Sequence, residues 1–279
     1  VEAAEEIAML AAALSAAALA LHLPSSPKAD ALCRRGLLQH AAAAAVSLPL
    51  AARADVRGAN EGLPRNEKDI NKYLSSQGFP AMKVPSGLSP LVGYVGTANP
   101  ANIDGSKVRA RAFTSPLLIR FSYPSGWLAD LPSITENGEA GNLGANNYIK
   151  GDSVNFAAIP ASKDLKVADI TKPMIQSLII AQMSNDVYED VKIKKLQTAP
   201  QPDGFELVVA DFTYTLNTRA GFTVNRKGVV SATVAANALV GLVGATTALR
   251  YKELEAPLRS AVETFRCYPV KSPGFNLVT

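Results

Sequence analysis

Histidine and cysteine are nearly missing from this chain of 279 residues: there are two of each, and one tryptophan. His22, His40 and Cys33 all fall in an N-terminal stretch that reads as a removable leader. The remainder would then hold no histidine and one cysteine, Cys267. That excludes a Ser-His-Asp or Cys-His nucleophilic site, histidine metal ligation and an internal disulfide. The patterns G-x-S-x-G, P-loop and G-x-G-x-x-G are absent too. Neither sign of charge dominates. The net charge is +4 and the leader is neutral, so the remainder keeps all of it. No basic run interleaved with aromatics occurs, which argues against nucleic acid as a partner. Hydrophobic content of 48% and charged content of 19% fit a globular protein of one or two domains.

What is present begins with the leader. Residues 7–23, IAMLAAALSAAALALHL, are an alanine-dominated apolar run. The run is marginal for a spanning helix, which needs about 20 apolar residues. It reads as a secretory-type signal or part of an organellar presequence, with a terminal membrane helix as the alternative. Glu2, Glu5 and Glu6 fit a transit peptide poorly. A second signal follows: Arg34-Arg35, an uncharged stretch over 41–52, and the small-residue cleavage pattern Ala52-Arg53-Ala54. That order resembles a twin-arginine export signal. Pro49 inside the run disfavours a buried helix. Two signals in tandem imply two membranes crossed in sequence, as a nucleus-encoded protein of the thylakoid lumen requires. A first signal of secretory type points to a plastid of secondary origin.

The sequence thus divides into a cleavable presequence over 1–54, a proline- and glycine-rich arm over 55–114, a domain over 115–270 and a tail over 271–279. In the arm, Asn66 is an N-cap candidate for a short helix that Gly78 stops. From 78 to 100 four prolines alternate with glycines, which rules out a helix or a central strand. The apolar residues there predict an irregular arm packed on its own domain or on a partner. Lys107, Arg109 and Arg111 alternate with Val108, Ala110 and Ala112, a strand-like segment with one basic face.

The domain opens with SPLLIRFSYPSGW, residues 115–127, a strand with one face buried that ends in a Pro-Ser-Gly turn. Residues 131–148 are rich in glycine and asparagine and predict a long loop or hairpin connection of the kind that carries function. Strands are expected over 152–159, in the later part of 187–196, over 205–216, 221–225 and 229–236, with a turn or bulge at 226–228. A helix capped by Asp169 or Thr171 covers Met174 to Met183. Residues 232–249 are nearly uncharged. Their β-branched, glycine and threonine content predicts a buried hairpin turning at 236–238 rather than a membrane span. Residues 250–265 form an amphipathic helix that either restarts after Glu255 or kinks at Pro257. The sum is an α+β fold, an antiparallel β-sheet covered by helices.

Four segments, YPSGW, GDSVNFAAIP, FELVVADFTYTL and RYKELEAPLRSAVETF, resemble the PsbP domain of extrinsic proteins on the oxygen-evolving side of photosystem II. The resemblance spans 117–268 and is most specific in the closing hairpin and helix. It implies a PsbP-like α-β-α sandwich and a non-enzymatic lumenal protein. Such a protein would be peripheral to the membrane and docked on photosystem II or photosystem I core subunits. Calcium or manganese binding is implied only in so far as it needs no histidine. Asn237-Ala238 stands where the family often has Asn-Gly, and Tyr251 where it often has tryptophan. Those departures and the long arm place the chain with the PsbP-like relatives rather than with PsbP itself.

Asp186, Glu189 and Asp190 are the densest acidic cluster and candidate oxygen ligands for a hard cation. Their spacing is not that of an EF-hand, and a solvated helix end is the plainer alternative. Arg109, Arg111, Lys192, Lys194, Lys195, Arg226 and Lys227 are candidates for a docking face, with ordinary solvated strand faces as the alternative. Trp127 reads as a core residue and Cys267 as a buried or half-buried thiol. Two other functions stay open: a soluble lumenal enzyme or small-ligand binder using the 131–148 segment, and a secreted bacterial-type domain unrelated to photosynthesis.

Overall fold

The structure, a computed structural model, describes residues 60–96, 115–135, 138–183, 187–218 and 221–271. All of these belong to one compact unit. The presequence with Arg34, Arg35, Ala52 and Ala54, the basic segment with Arg109 and Arg111, and Asp186 lie outside the described residues.

The first element is the expected helix, α1 (Glu67–Ser76). Asn66 Oδ1 accepts the Asp69 N–H at 2.9 Å, and Gly78 follows at positive φ. Strand β1 (Leu88–Val95) then corrects the reading of 78–100 as irregular. It pairs antiparallel with β2 (Leu117–Pro124) over its whole length. Its one proline, Pro90, is tolerated because β1 is an edge strand. Strand β13 (Arg266–Pro269), too short to carry a clear pattern in the sequence, pairs with the other side of β2 and closes a three-stranded sheet.

The large sheet is antiparallel throughout. It contains β3 (Leu128–Asp130), β6 (Gly144–Asn147), β7 (Asp152–Pro160), β8 (Val187–Ile193), β9 (Gln197–Pro200), β10 (Glu206–Asn217), β11 (Thr223–Ala235) and β12 (Ala238–Thr247). Its order is β3-β6-β7-β12-β11-β10-β8, with β9 also on β10. Strands β4 (Ser133–Thr135) and β5 (Gly138–Ala140) form a separate hairpin. Of the two options for 131–148, loop or hairpin connection, the structure takes the hairpin, and Leu143 and Ala145 are core residues.

The buried hairpin over 232–249 is β11–β12. Ala236 and Asn237 both have positive φ between the paired Ala235 and Ala238, the two-residue turn that suits strand twist. The expected break at 226–228 does not occur, because β11 runs straight through it. Gly228 makes this possible: a Cβ there would collide with the Gly244 carbonyl and the Phe212 ring. No helix among the described residues is long and apolar enough to cross a membrane.

Helix α2 (Lys172–Gln182), N-capped at Thr171, covers one face of this sheet. Ile175, Leu178 and Ile179 meet Val208, Phe212, Val230 and Leu239 there. Helix α3 (Tyr251–Glu263) and the small sheet cover the other face. Leu258, Val262 and Phe265 join Leu117, Ile119 and Phe121 of β2 against Leu207, Val209, Val240 and Leu242. Helix α3 neither restarts nor ends at Pro257; it is continuous past it. Helix α1 covers the outer face of the small sheet through Ile70 and Leu74 on Val92 and Leu118. Strand β2 is consequently buried on both faces, not on one as its alternation suggested. Residues 60–96 are packed on their own domain, the first of the two options their apolar content left open.

Candidate functional site

The docking candidates separate by strand parity. Lys192 on β8 pairs with Thr213 on β10, and Thr213 with Lys227 on β11. The two lysines thus lie in one cross-strand row, two strands apart, and both are exposed. They line a groove of about 360 Å³ with Asp190, Thr215 and Asn225. Lys227 Nζ sits 5.9 Å from the Tyr251 ring centre, at the start of α3. Burial, then the charges of Asp211 and Glu255, push the Tyr251 hydroxyl up to about 12. Lys192 Nζ is 3.7 Å from the Asp190 carboxylate, with both side chains mostly in water. An exposed pair of this kind contributes about 0–1 kcal/mol.

Lys194 and Lys195 lie past the end of that row. The Lys194 N–H bonds the Asp211 carbonyl at 2.7 Å and Lys195 has φ +26, where the chain leaves β8 for β9. Arg226 also lines the groove of Lys192 and Lys227, but its side chain is largely buried. It is one residue from Lys227, so its side chain points to the other side of the sheet. Its Nη1 donates to the Gly151 carbonyl at 2.6 Å, and its guanidinium lies 5.9 Å from the Tyr214 ring centre. It ties the β6–β7 turn to the sheet.

The two described acidic candidates are engaged by protein. Glu189 accepts from Asn217 Nδ2 at 2.9 Å, and Asp190, at positive φ in a bulged stretch, pairs with Lys192. Among the described residues no group of three His, Cys, Asp or Glu side chains is placed to hold a metal ion.

A second concavity, of about 490 Å³, opens beside β3, β6 and β7. Asp130 Oδ2 accepts from Asn146 Nδ2 at 2.5 Å and from Tyr148 at 2.6 Å. Asn155 Nδ2 donates to Asn146 Oδ1 at 3.3 Å. A carboxylate only accepts, so Asp130 sets the direction of this chain of bonds. Asn155 Oδ1 stands at its end, buried and without a donor. Bonding to Asp130 pushes the Tyr148 hydroxyl upward in pKa. Asp130 and Asn155 lie outside the glycine- and asparagine-rich window 131–148. Only the strand pairing brings them together.

A third cluster has no signal in the sequence. Arg120 on β2 and Arg266 on β13 are register partners and both are buried. Asp203, from the turn between β9 and β10, accepts from Arg266 Nε at 2.7 Å and Nη2 at 3.1 Å, and lies 3.5 Å from Arg120 Nη2. Burial pushes the Asp203 carboxyl up. The hydrogen bonds and charge of Arg266, the Phe205 N–H and Arg120 outweigh that and hold it below its ordinary range. Cys267 beside them is fully buried, and desolvation raises its thiol far from reactivity.

No protein-family model matches the sequence, and no curated protein matches it. Among solved structures, the chain is similar to the solution structure of cyanobacterial PsbP (CyanoP) from Synechocystis sp. PCC 6803. The identity is 13% and the TM-score 0.37, over 66% of this chain and 95% of that one.

Proposed function

We propose that this chain is a non-enzymatic, extrinsic protein of the thylakoid lumen that docks on a photosystem, in the first place photosystem II, and supports its assembly or stability. The tandem signal and the four PsbP-like segments supply the compartment and the class of partner. The observation that carries the docking is the exposed Lys192–Lys227 row, a basic platform for an acidic protein surface. The test is made on detergent-purified complexes, where no bilayer contributes. The chain is expected to comigrate with photosystem II on native gels and to leave it in high salt, because exposed pairs are screened. Lys192→Glu with Lys227→Glu is expected to lower occupancy roughly tenfold, about 0.7 kcal/mol per reversed charge. Comigration with photosystem I would move the partner. Salt-resistant binding that ignores both substitutions would end the docking reading.

A second reading, a small-ligand binder of the lumen, is favoured by the orphan Asn155 acceptor in the Asp130 cleft. Its ligand would bring a hydrogen-bond donor. A thermal-shift screen of polyols and amines against the parent and Asn155→Ala tests it; no shift in the parent removes it.

A further inference from the structure

The described residues carry six exposed large apolar side chains: Leu128, Tyr148, Ile149, Val187, Phe222 and Leu249. Ile149 and Leu249 are 93% and 94% exposed, and Phe222 is 70% exposed. The pairing register puts all six at one end of the large sheet. Leu128 opens β3 opposite Asn146, next to the end of β6. Tyr148 and Ile149 form the turn from β6 to β7, whose flanks Asn147 and Asp152 are paired. Leu249 lies two residues past Thr247, the last residue of β12, which is level with Arg226. Phe222 closes the turn from β10 into β11, and Val187 opens β8; the neighbouring Thr223 and Val187 both pair with Asn217. At the opposite end, the turns at 161–165, 201–205 and 236–237 expose none.

We infer that this end of the sheet is a lipid-bilayer contact, with the apolar turn residues entering the interfacial layer. Turn tips ordinarily carry Gly, Pro, Asn, Asp and Ser, so isoleucine, leucine and phenylalanine on three separate tips need a reason. The three tips, from the β6–β7 turn to the β10–β11 turn, spread over three strand spacings, roughly 14 Å, and differ in height by about 10 Å. They form no continuous groove for a partner protein to fill. A fluid interface, met at a tilt, receives separate protrusions without matching pockets. Lys150 and Lys252 are exposed beside Ile149 and Leu249, placed to meet anionic headgroups. Glu189, Asp190 and Glu253 share this end. Apolar insertion is therefore the main attraction and headgroup charge the lesser one. The inference does not rest on the photosystem reading.

The test uses the full chain and vesicles of phosphatidylcholine with and without about 30 mol % phosphatidylglycerol, some with brominated acyl chains. Because residues 7–23 are themselves apolar, the readout is taken at the tips. Phe222→Trp and Leu249→Trp, after subtraction of the parent Trp127 emission, are expected to be quenched by brominated lipid. Lys163→Trp, at the opposite end, is expected to stay unquenched. Replacing Ile149, Phe222 and Leu249 together by serine is expected to lower partitioning of the domain end tenfold or more. Far-UV CD checks that these surface changes leave the fold intact. Unquenched tips, or equal quenching at both ends, overturn the inference. So does quenching that vanishes on omitting phosphatidylglycerol, which would mean that charge alone brings the end to the surface.

Discussion

Asp203 links the two sheets by charge as well as by their shared apolar core. It meets two buried arginines of the small sheet from a turn of the large one, and Arg266 also donates to the Glu263 and Phe265 carbonyls and lies over the Phe205 ring. Removing the carboxylate leaves two cations without a counter-charge, so Asp203→Asn is expected to cost about 3 kcal/mol at neutral pH. The sign of the pH dependence follows from its lowered pKa. The stabilisation is complete above the unfolded value of about 4 and is lost as pH falls through the folded value. Urea unfolding of parent and variant should therefore show a gap at pH 7 that shrinks below about pH 4. A gap that does not change with pH would mean that Asp203 acts by packing rather than by charge.

At the scale of elements, glycines under ring and helix contacts decide how the strands run. Gly228 sits beneath Phe212 and against the β12 backbone, and Gly241 admits Leu178 of α2. Gly228→Ala is expected to destabilise by about 2 kcal/mol or more, since backbone and a core ring would both have to move. Gly126, at φ +86 with nothing within 4 Å of its missing Cβ, isolates the conformational penalty alone. Gly126→Ala should cost about 1 kcal/mol. Midpoints in urea compare the two, and an equal cost at both sites would refute the packing argument for Gly228.

For the whole molecule, the layer made by α1 and β1 covers β2, whose other face is the central core. Asn60 fastens that layer: its side chain bonds both the N–H and carbonyl of Tyr94 and the carbonyl of Pro132. Tyr73 and Tyr94 are also hydroxyl-bonded across it. Leu74→Ala is expected to lower stability by about 2–5 kcal/mol. Far-UV CD and Trp127 emission should move together if the layer unfolds with the rest. An early, separate transition would mean that residues 60–96 are an appendage.

Local rules made much of this chain legible. Asn66 and Gly78 bounded α1, Ala236-Asn237 marked the hairpin turn, and the α+β class followed from strand runs set between amphipathic helices. These depend on neighbours in sequence, so the sequence by itself determined them. Strand β1 stayed hidden because prolines forbid a central strand but not an edge, and which edge is free is a property of the sheet. The burial of Arg120, Ser122 and Arg226 was equally invisible: alternation assigns a side chain to a face, while only packing decides what covers that face. The Asp130–Asn155 cleft, the Asp203 seam and the apolar end of the sheet each join residues far apart in the chain. The tertiary structure alone decided them, because cross-strand register, not sequence spacing, sets which side chains meet.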